Sequence, residues 1–258
     1  MRILLILLPA LLALTGCSSL SSLIPVEFDK SIGSQFAAQI ESDTYSTEIL
    51  DSVKYAHVYT YVKNIRNEII NSDDINYKND FPYTVKIIKD DSTLNAFCVP
   101  GGYIYVYTGL LKYLDSESEL AGVMAHEIAH AEKRHSVEQI AKKSGIALVL
   151  SYFLGSDMSD LVNVGTELLA LNFSRSDEKE ADEYAVKYLY DTRYDPRGVA
   201  GFFQKLIKEH KDAEIPEFLS THPASQSRID EIYANWKDLG SKEGEKGTES
   251  HQKIKKLL

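Results

Sequence analysis

The sequence predicts an α+β domain that is mostly helical and carries one small sheet. Strand-like alternation is confined to 83–108, and apolar residues on either side recur at helical spacing. A Pro-Gly-Gly turn at 100–102 separates two of the strand-like runs. At 258 residues, with 44% hydrophobic and 26% charged, the chain is long enough to bury a substantial core. It has 28 basic and 38 acidic residues, a formal charge of −10, which argues against a phosphate-backbone partner, so no nucleic acid is expected. The absence of an internal repeat excludes a solenoid.

Residues 1–16 read as a signal peptide: Arg2, an apolar run too short to span a bilayer, then small residues. Leu14-Thr15-Gly16-Cys17 resembles the lipobox of bacterial lipoproteins, which makes Cys17 the lipidated N-terminus and the lipid the chain's membrane anchor. By the same resemblance, Ser18 directs the protein to the outer membrane, with its domain facing the periplasm. Residues 17–30, rich in Ser, are expected to form a tether. The only other cysteine, Cys98, has no partner and is expected to be buried.

The folded domain is expected over 31–239. Residues 31–72 read as helical, from Val53, Ala56, Tyr59, Val62, Ile65, Ile69 and Ile70. Strands follow at 83–89, 94–99 and 103–108, the last with Tyr103, Tyr105 and Tyr107 on one face and Ile104 and Val106 on the other. Ser116 and Glu119 form a capping-box pattern that opens a helix to about 135. Further helices are expected at 136–154, 158–172, 176–191, 196–210 and 225–238. The apolar run 146–154 reads as a buried helix or as a surface leaning on a bilayer. Residues 240–258, rich in Lys, Glu, Gly and Ser, read as a flexible tail.

One motif carries chemistry: His126-Glu127-Ile128-Ala129-His130. Positions i and i+4 share a helix face, so two imidazoles can hold one Zn²⁺ per chain. Glu127, about 100° round the helix, can reach a water rather than the metal and suits a general base. About 0.015 chance occurrences are expected at this composition. A third ligand is needed. The extended motif that supplies a His six residues on is excluded, because Lys133 and Ser136 stand where it wants Gly and His. His135 is one residue out of register and reads as structural, near the helix end. A carboxylate from another helix remains. Glu178 and Asp182 lie one turn apart on one face, with Glu180 turned away. This assigns Glu178 to the metal and Asp182 to a hydrogen bond that orients His126 or His130.

Three segments resemble metallopeptidase family 48: Asn95 through the Pro-Gly-Gly turn to Leu111, Met124 to His135, and Ser174-Arg175 through Glu178, Ala181 and Asp182. The resemblance implies a zincin-like (gluzincin) domain with a small sheet beside the metal helix. It implies His126, His130 and Glu178 as zinc ligands and Glu127 as base. It also implies that a strand within 94–108 binds extended substrate by strand addition, which makes Asn95 a candidate for substrate-strand or oxyanion contact. His222, in Thr221-His222-Pro223, is either a gate or fourth ligand over the zinc, or a surface His before a Pro. Arg228 either stabilises an oxyanion or holds its helix in place. The substrates implied are unfolded or misassembled envelope proteins. The alternative is a chaperone-like assembly lipoprotein whose zinc site is gated or silent. The spanning helices of the family's membrane-embedded members are not seen in the chain after residue 16, nor is the TPR module that follows the protease in some members.

Overall fold

A computed structural model describes residues 20–43, 47–155, 173–209 and 217–258. The signal peptide, Cys17 and the expected helix at 158–172 lie outside these residues. A 3₁₀ turn at Leu20–Leu23 leads into α1, Val26–Ser42. Phe28, Ile32 and Phe36, four residues apart, give α1 its buried stripe. The expected tether to residue 30 therefore ends earlier, because Phe28 and Asp29 are already buried.

The long helix expected over 31–72 is two helices. Leu50 N donates to Ile87 O and Lys89 N to Glu48 O, so residues 48–50 join the sheet edge instead. Asp51 Oδ1 then accepts from Val53 N and Lys54 N, a turn that precedes α2, Ala56–Ile70. Val53 lies ahead of that helix, exposed.

The sheet has three strands, β1 (Val85–Ile88), β2 (Ala96–Val99) and β3 (Tyr103–Tyr107), in the order β1-β3-β2. β1 runs parallel to β3 (Val85 opposite Ile104), and β2 is antiparallel to it (Ala96 opposite Val106). Gly101 and Gly102 turn the β2–β3 connection with φ of +77° and +82°. The alternation holds: Ile104 and Val106 face the main core, and Tyr105 packs with α1 residues on the other face.

After the short α3 (Thr108–Tyr113) comes α4, Glu117–Glu132, apolar nearly all round and buried along its length. Ser116 Oγ accepts from Glu119 N at 3.2 Å, but the Glu119 carboxylate accepts from Asp115 N, so the reciprocal contact falls one residue early. α4 packs on β2 and on α7 (Arg175–Tyr190) and α8 (Gly198–Glu209). It meets α8 through bare backbone: a Cβ on Gly122 would stand 2.2 Å from Val199 N, and one on Gly198 would stand 1.8 Å from Ser118 O. Arg134, left-handed at φ 58°, ends the metal helix before 135 and starts α5, His135–Ser144. Gly145 (φ 82°) divides α5 from α6, Ile146–Ser151, and a 3₁₀ turn follows at Tyr152–Leu154.

α9 (Glu217–Thr221), α10 (Gln226–Asp238) and α11 (Thr248–Lys255) complete the described chain. The expected flexible tail is packed. Ser118 N donates to Lys246 O, Glu245 N donates to Arg193 O, and His251 is buried between Tyr61 Oη (2.7 Å) and Leu111 O (3.0 Å). No described helix is long and apolar enough to cross a membrane.

Candidate metal centre

α4 and α7 cross at the centre of the fold and bring their charged side chains together. A capping box fixes the start of α7: Ser174 Oγ accepts from Asp177 N at 3.2 Å, and Asp177 Oδ2 accepts from Ser174 N at 3.0 Å. One turn later Glu178 faces α4. Ligand atoms of His126, His130, Glu178 and His222 all lie within 4.8 Å of one another, and all four residues are buried. His126 Nε2 and His130 Nε2 are 3.1 Å apart, and Glu178 carboxylate oxygens stand 3.6 and 3.5 Å from them.

Each imidazole is held from behind. His126 Nδ1 lies 3.0 Å from Asp182 Oδ1. His130 Nδ1 lies 2.9 Å from His135 Nδ1, and His135 Nε2 lies 3.2 Å from Glu180 Oε2. Phe173 stacks on His130 at 4.0 Å between centroids. Arg228 spans the two carboxylates of α7: Nε and Nη2 donate to Asp182 at 2.7 and 2.8 Å, and Nη1 lies 2.6 Å from Glu178 Oε2. Its Nη1 also donates to Pro223 O, so the guanidinium is committed to holding α10 and α7 together.

The electrostatics suit a cation. Burial pulls the His126 imidazole down, but the Asp182 and Glu178 carboxylates outweigh it and raise it to about 9. Burial holds His130 well below the ordinary histidine range. Burial also raises Glu178, yet the surrounding His222, His126 and His130 hold its carboxyl below the carboxylate range. The imidazoles and the Glu178 carboxylate together form a donor set that could hold a metal ion.

Glu127 lies on the same helix but faces β2. Burial raises its carboxyl, opposed by His222 and His126, and Oε1 has no hydrogen-bond partner. Asn95, at the approach to β2, is buried with Oδ1 unpartnered, and its Nδ2 stands 3.4 Å from Glu217 Oε1. Asn95, Cys98, Glu127, Phe173 and His222 line a cleft of about 30 Å³, room for about one water. His222 roofs it: Nδ1 is 2.8 Å from Glu178 Oε1 and 3.3 Å from His126 Nε2, and Nε2 is 3.5 Å from Glu127 Oε1. It is buried, not a surface histidine, and its ring stacks on Phe218. Cys98 is free and buried, and burial raises its thiol.

The structure therefore brings together His126, His130, Glu178 and His222, with Asp182 and Arg228 behind them and Glu127 and Asn95 lining the adjoining cleft. Sequence reasoning missed the contact of His135 with His130 and the stacking of Phe173. Phe173 gave no local signal, because its ring stacks on a residue of another helix and N4 of the helix it precedes is Glu178, not an apolar partner. His135 had none either, because the contact depends on the left-handed turn at Arg134.

The model of Peptidase family M48 matches residues 56–235. Relatives include "Mitochondrial metalloendopeptidase OMA1" of Arabidopsis thaliana, 40% identical over 143 residues, 55% of this chain and 29% of that protein. The "Putative beta-barrel assembly-enhancing protease" of Vibrio cholerae is 35% identical over 162 residues, 57% of this chain and 33% of that protein. "Metalloprotease LoiP" of Escherichia coli is 31% identical over 199 residues, 74% of this chain and 75% of that protein. The chain spans about a third or less of the length of the first two relatives. The chain belongs to peptidase family M48.

Proposed function

We propose that this member of peptidase family M48 is a zinc-dependent endopeptidase of the bacterial cell envelope, lipid-anchored at Cys17 in the outer membrane and facing the periplasm. Its substrates are unfolded or misassembled envelope proteins. The observation that carries the reading is the convergence of two imidazoles and a carboxylate within 4.8 Å, with the buried Glu127 carboxylate, its Oε1 without a hydrogen-bond partner, beside them and the edge strand β2 alongside.

His126, His130 and Glu178 hold the ion. Bound zinc supplies Lewis acidity, polarising a carbonyl and making water a stronger acid. Asp182 and His135 fix the two imidazole rings through their Nδ1 atoms, and Arg228 positions Glu178 and Asp182. Substrate lies as an added strand along β2, with Asn95 at its end offering an amide to the peptide. Glu127 takes a proton from the attacking water as the C–O bond forms. It returns that proton to the amine nitrogen as the C–N bond breaks.

The second reading, a chaperone-like lipoprotein with a gated site, is favoured by His222, which lies 2.8 Å from Glu178 Oε1 and lines a cleft of only about 30 Å³. Purified protein incubated with unfolded casein separates the two. Wild type should cleave it. Glu127→Gln should lose about 10²–10⁴-fold in rate with metal content and helicity unchanged, and a chelator should abolish cleavage. Cleavage that appears only in His222→Ala supports the gated reading. A chain that binds no zinc and cleaves nothing overturns the proposal.

A further inference from the structure

Eight large apolar side chains are exposed among the described residues, and five of them lie on two segments that both meet α5: Leu23 on the 3₁₀ turn at Leu20–Leu23, and Leu148, Leu150, Phe153 and Leu154 on α6 and the turn after it, a corner of the fold built around α5. The 3₁₀ turn at Leu20–Leu23 and α6 both pack on α5. The turn at Tyr152–Leu154 folds onto α1: Tyr152 Oη is 2.7 Å from Ser31 Oγ, and the Phe153 ring is 6.4 Å from Phe28. Leu154 is 87% exposed and Leu23 61%, where partly polar side chains would cost nothing. The exposed Lys142 and Lys143 end α5 immediately before this run.

The N-terminal segment reaches this corner under constraint. Arg134 Nη1 donates to Ser21 O at 2.7 Å, and its Nε and Nη2 bind the Asp29 carboxylate at 3.1 and 2.6 Å. In the sequence Cys17 precedes Leu20 by three residues, a reach of at most about 11 Å for a fully extended chain. A lipid on Cys17 would enter a bilayer beside Leu23.

We propose that this corner rests on a phospholipid bilayer, with Leu23, Leu148, Leu150, Phe153 and Leu154 in the headgroup–acyl boundary and Lys142 and Lys143 toward the lipid phosphates. The inference rests on the reading of Cys17 as the lipid anchor. The anchor supplies retention, and the corner sets the orientation of the catalytic cleft above the membrane. Contact is interfacial, since no described helix can cross.

The test uses mature protein purified from bacterial membranes, carrying an environment-sensitive thiol dye on Leu154→Cys, with Val53→Cys as the distant exposed reference. Both are reconstituted with vesicles of phosphatidylethanolamine and phosphatidylglycerol bearing brominated acyl chains. The dye at 154 should be quenched at least about threefold more than the dye at 53. Equal quenching of both dyes on vesicle-bound protein overturns the corner and leaves the anchor reading intact. An N-terminal peptide without acyl mass sinks the anchor reading, and persistent selective quenching at 154 would still support the corner, whereas its loss would overturn it. A dye at 154 already blue-shifted without vesicles also overturns the proposal, because protein then covers that site.

Discussion

The α4–α7–α10 wall and the C-terminal α11 corner both bury imidazoles, in opposite settings. His251 sits between a phenol and a backbone carbonyl, and burial drives it down to about 4, so it stays neutral and serves as a plug. His126 is as deeply buried, but two carboxylates raise it to about 9. Burial alone does not set the charge of these two imidazoles; the carboxylates beside His126 do. The same contrast divides two glutamates of the site itself: cationic neighbours hold Glu178 down, and burial leaves Glu127 raised.

The largest effect that could break this contrast comes from Arg228→Met. It leaves the Asp182 and Glu178 carboxylates buried without their guanidinium, and should cost about 3–5 kcal/mol in chemical denaturation. A loss under about 1 kcal/mol would mean that the wall is held by packing, not charge.

The plug makes a pH prediction. The folded state refuses a proton at His251 until about pH 4, whereas the unfolded chain accepts one near 6.5. The contribution of His251 is complete above 6.5 and falls as pH drops toward 4, by about 3 kcal/mol in all. Denaturation midpoints of wild type and His251→Gln across this range should show a shallower acid decline in the variant. Parallel curves would contradict the assignment.

The smallest effect sharpens the site side. Removing the partner of His130 by His135→Ala should weaken zinc binding about 10–100-fold in competition with a chromophoric chelator. His135→Asn, which keeps a polar contact, should recover part of that loss. Unchanged affinity would leave His135 only a role in the fold.

The metal-facing residues were legible because helical spacing alone puts His126 with His130, and Glu178 with Asp182, on shared faces. Arg228 was half legible: its presence could be read, but its choice between oxyanion and positioning depended on how α10 crosses α7. His135 was hidden by a non-glycine residue in a left-handed turn, which no local pattern announces. The strands were legible from alternation, with ends a residue or two long. The split at 43–55 was not, because β-bridge pairing with residues 87–89 overrides a periodic pattern. Composition misled at both ends: polar, Ser- or Lys-rich segments pack here through backbone hydrogen bonds and single buried side chains such as Asp29 and His251.

The grip of Arg134 on Ser21, Pro25 and Asp29 has a practical corollary for anyone who trims the protein. A secreted or tag-fused version that starts at residue 31, where the charge and serine pattern invites a cut, would delete Ser21, Pro25 and Asp29 and leave the Arg134 guanidinium, four residues from His130, without those partners. Truncations should keep Ser21 and everything after it. A shortened enzyme that loses activity would otherwise be blamed on its missing lipid when the fault lies in an unseated arginine.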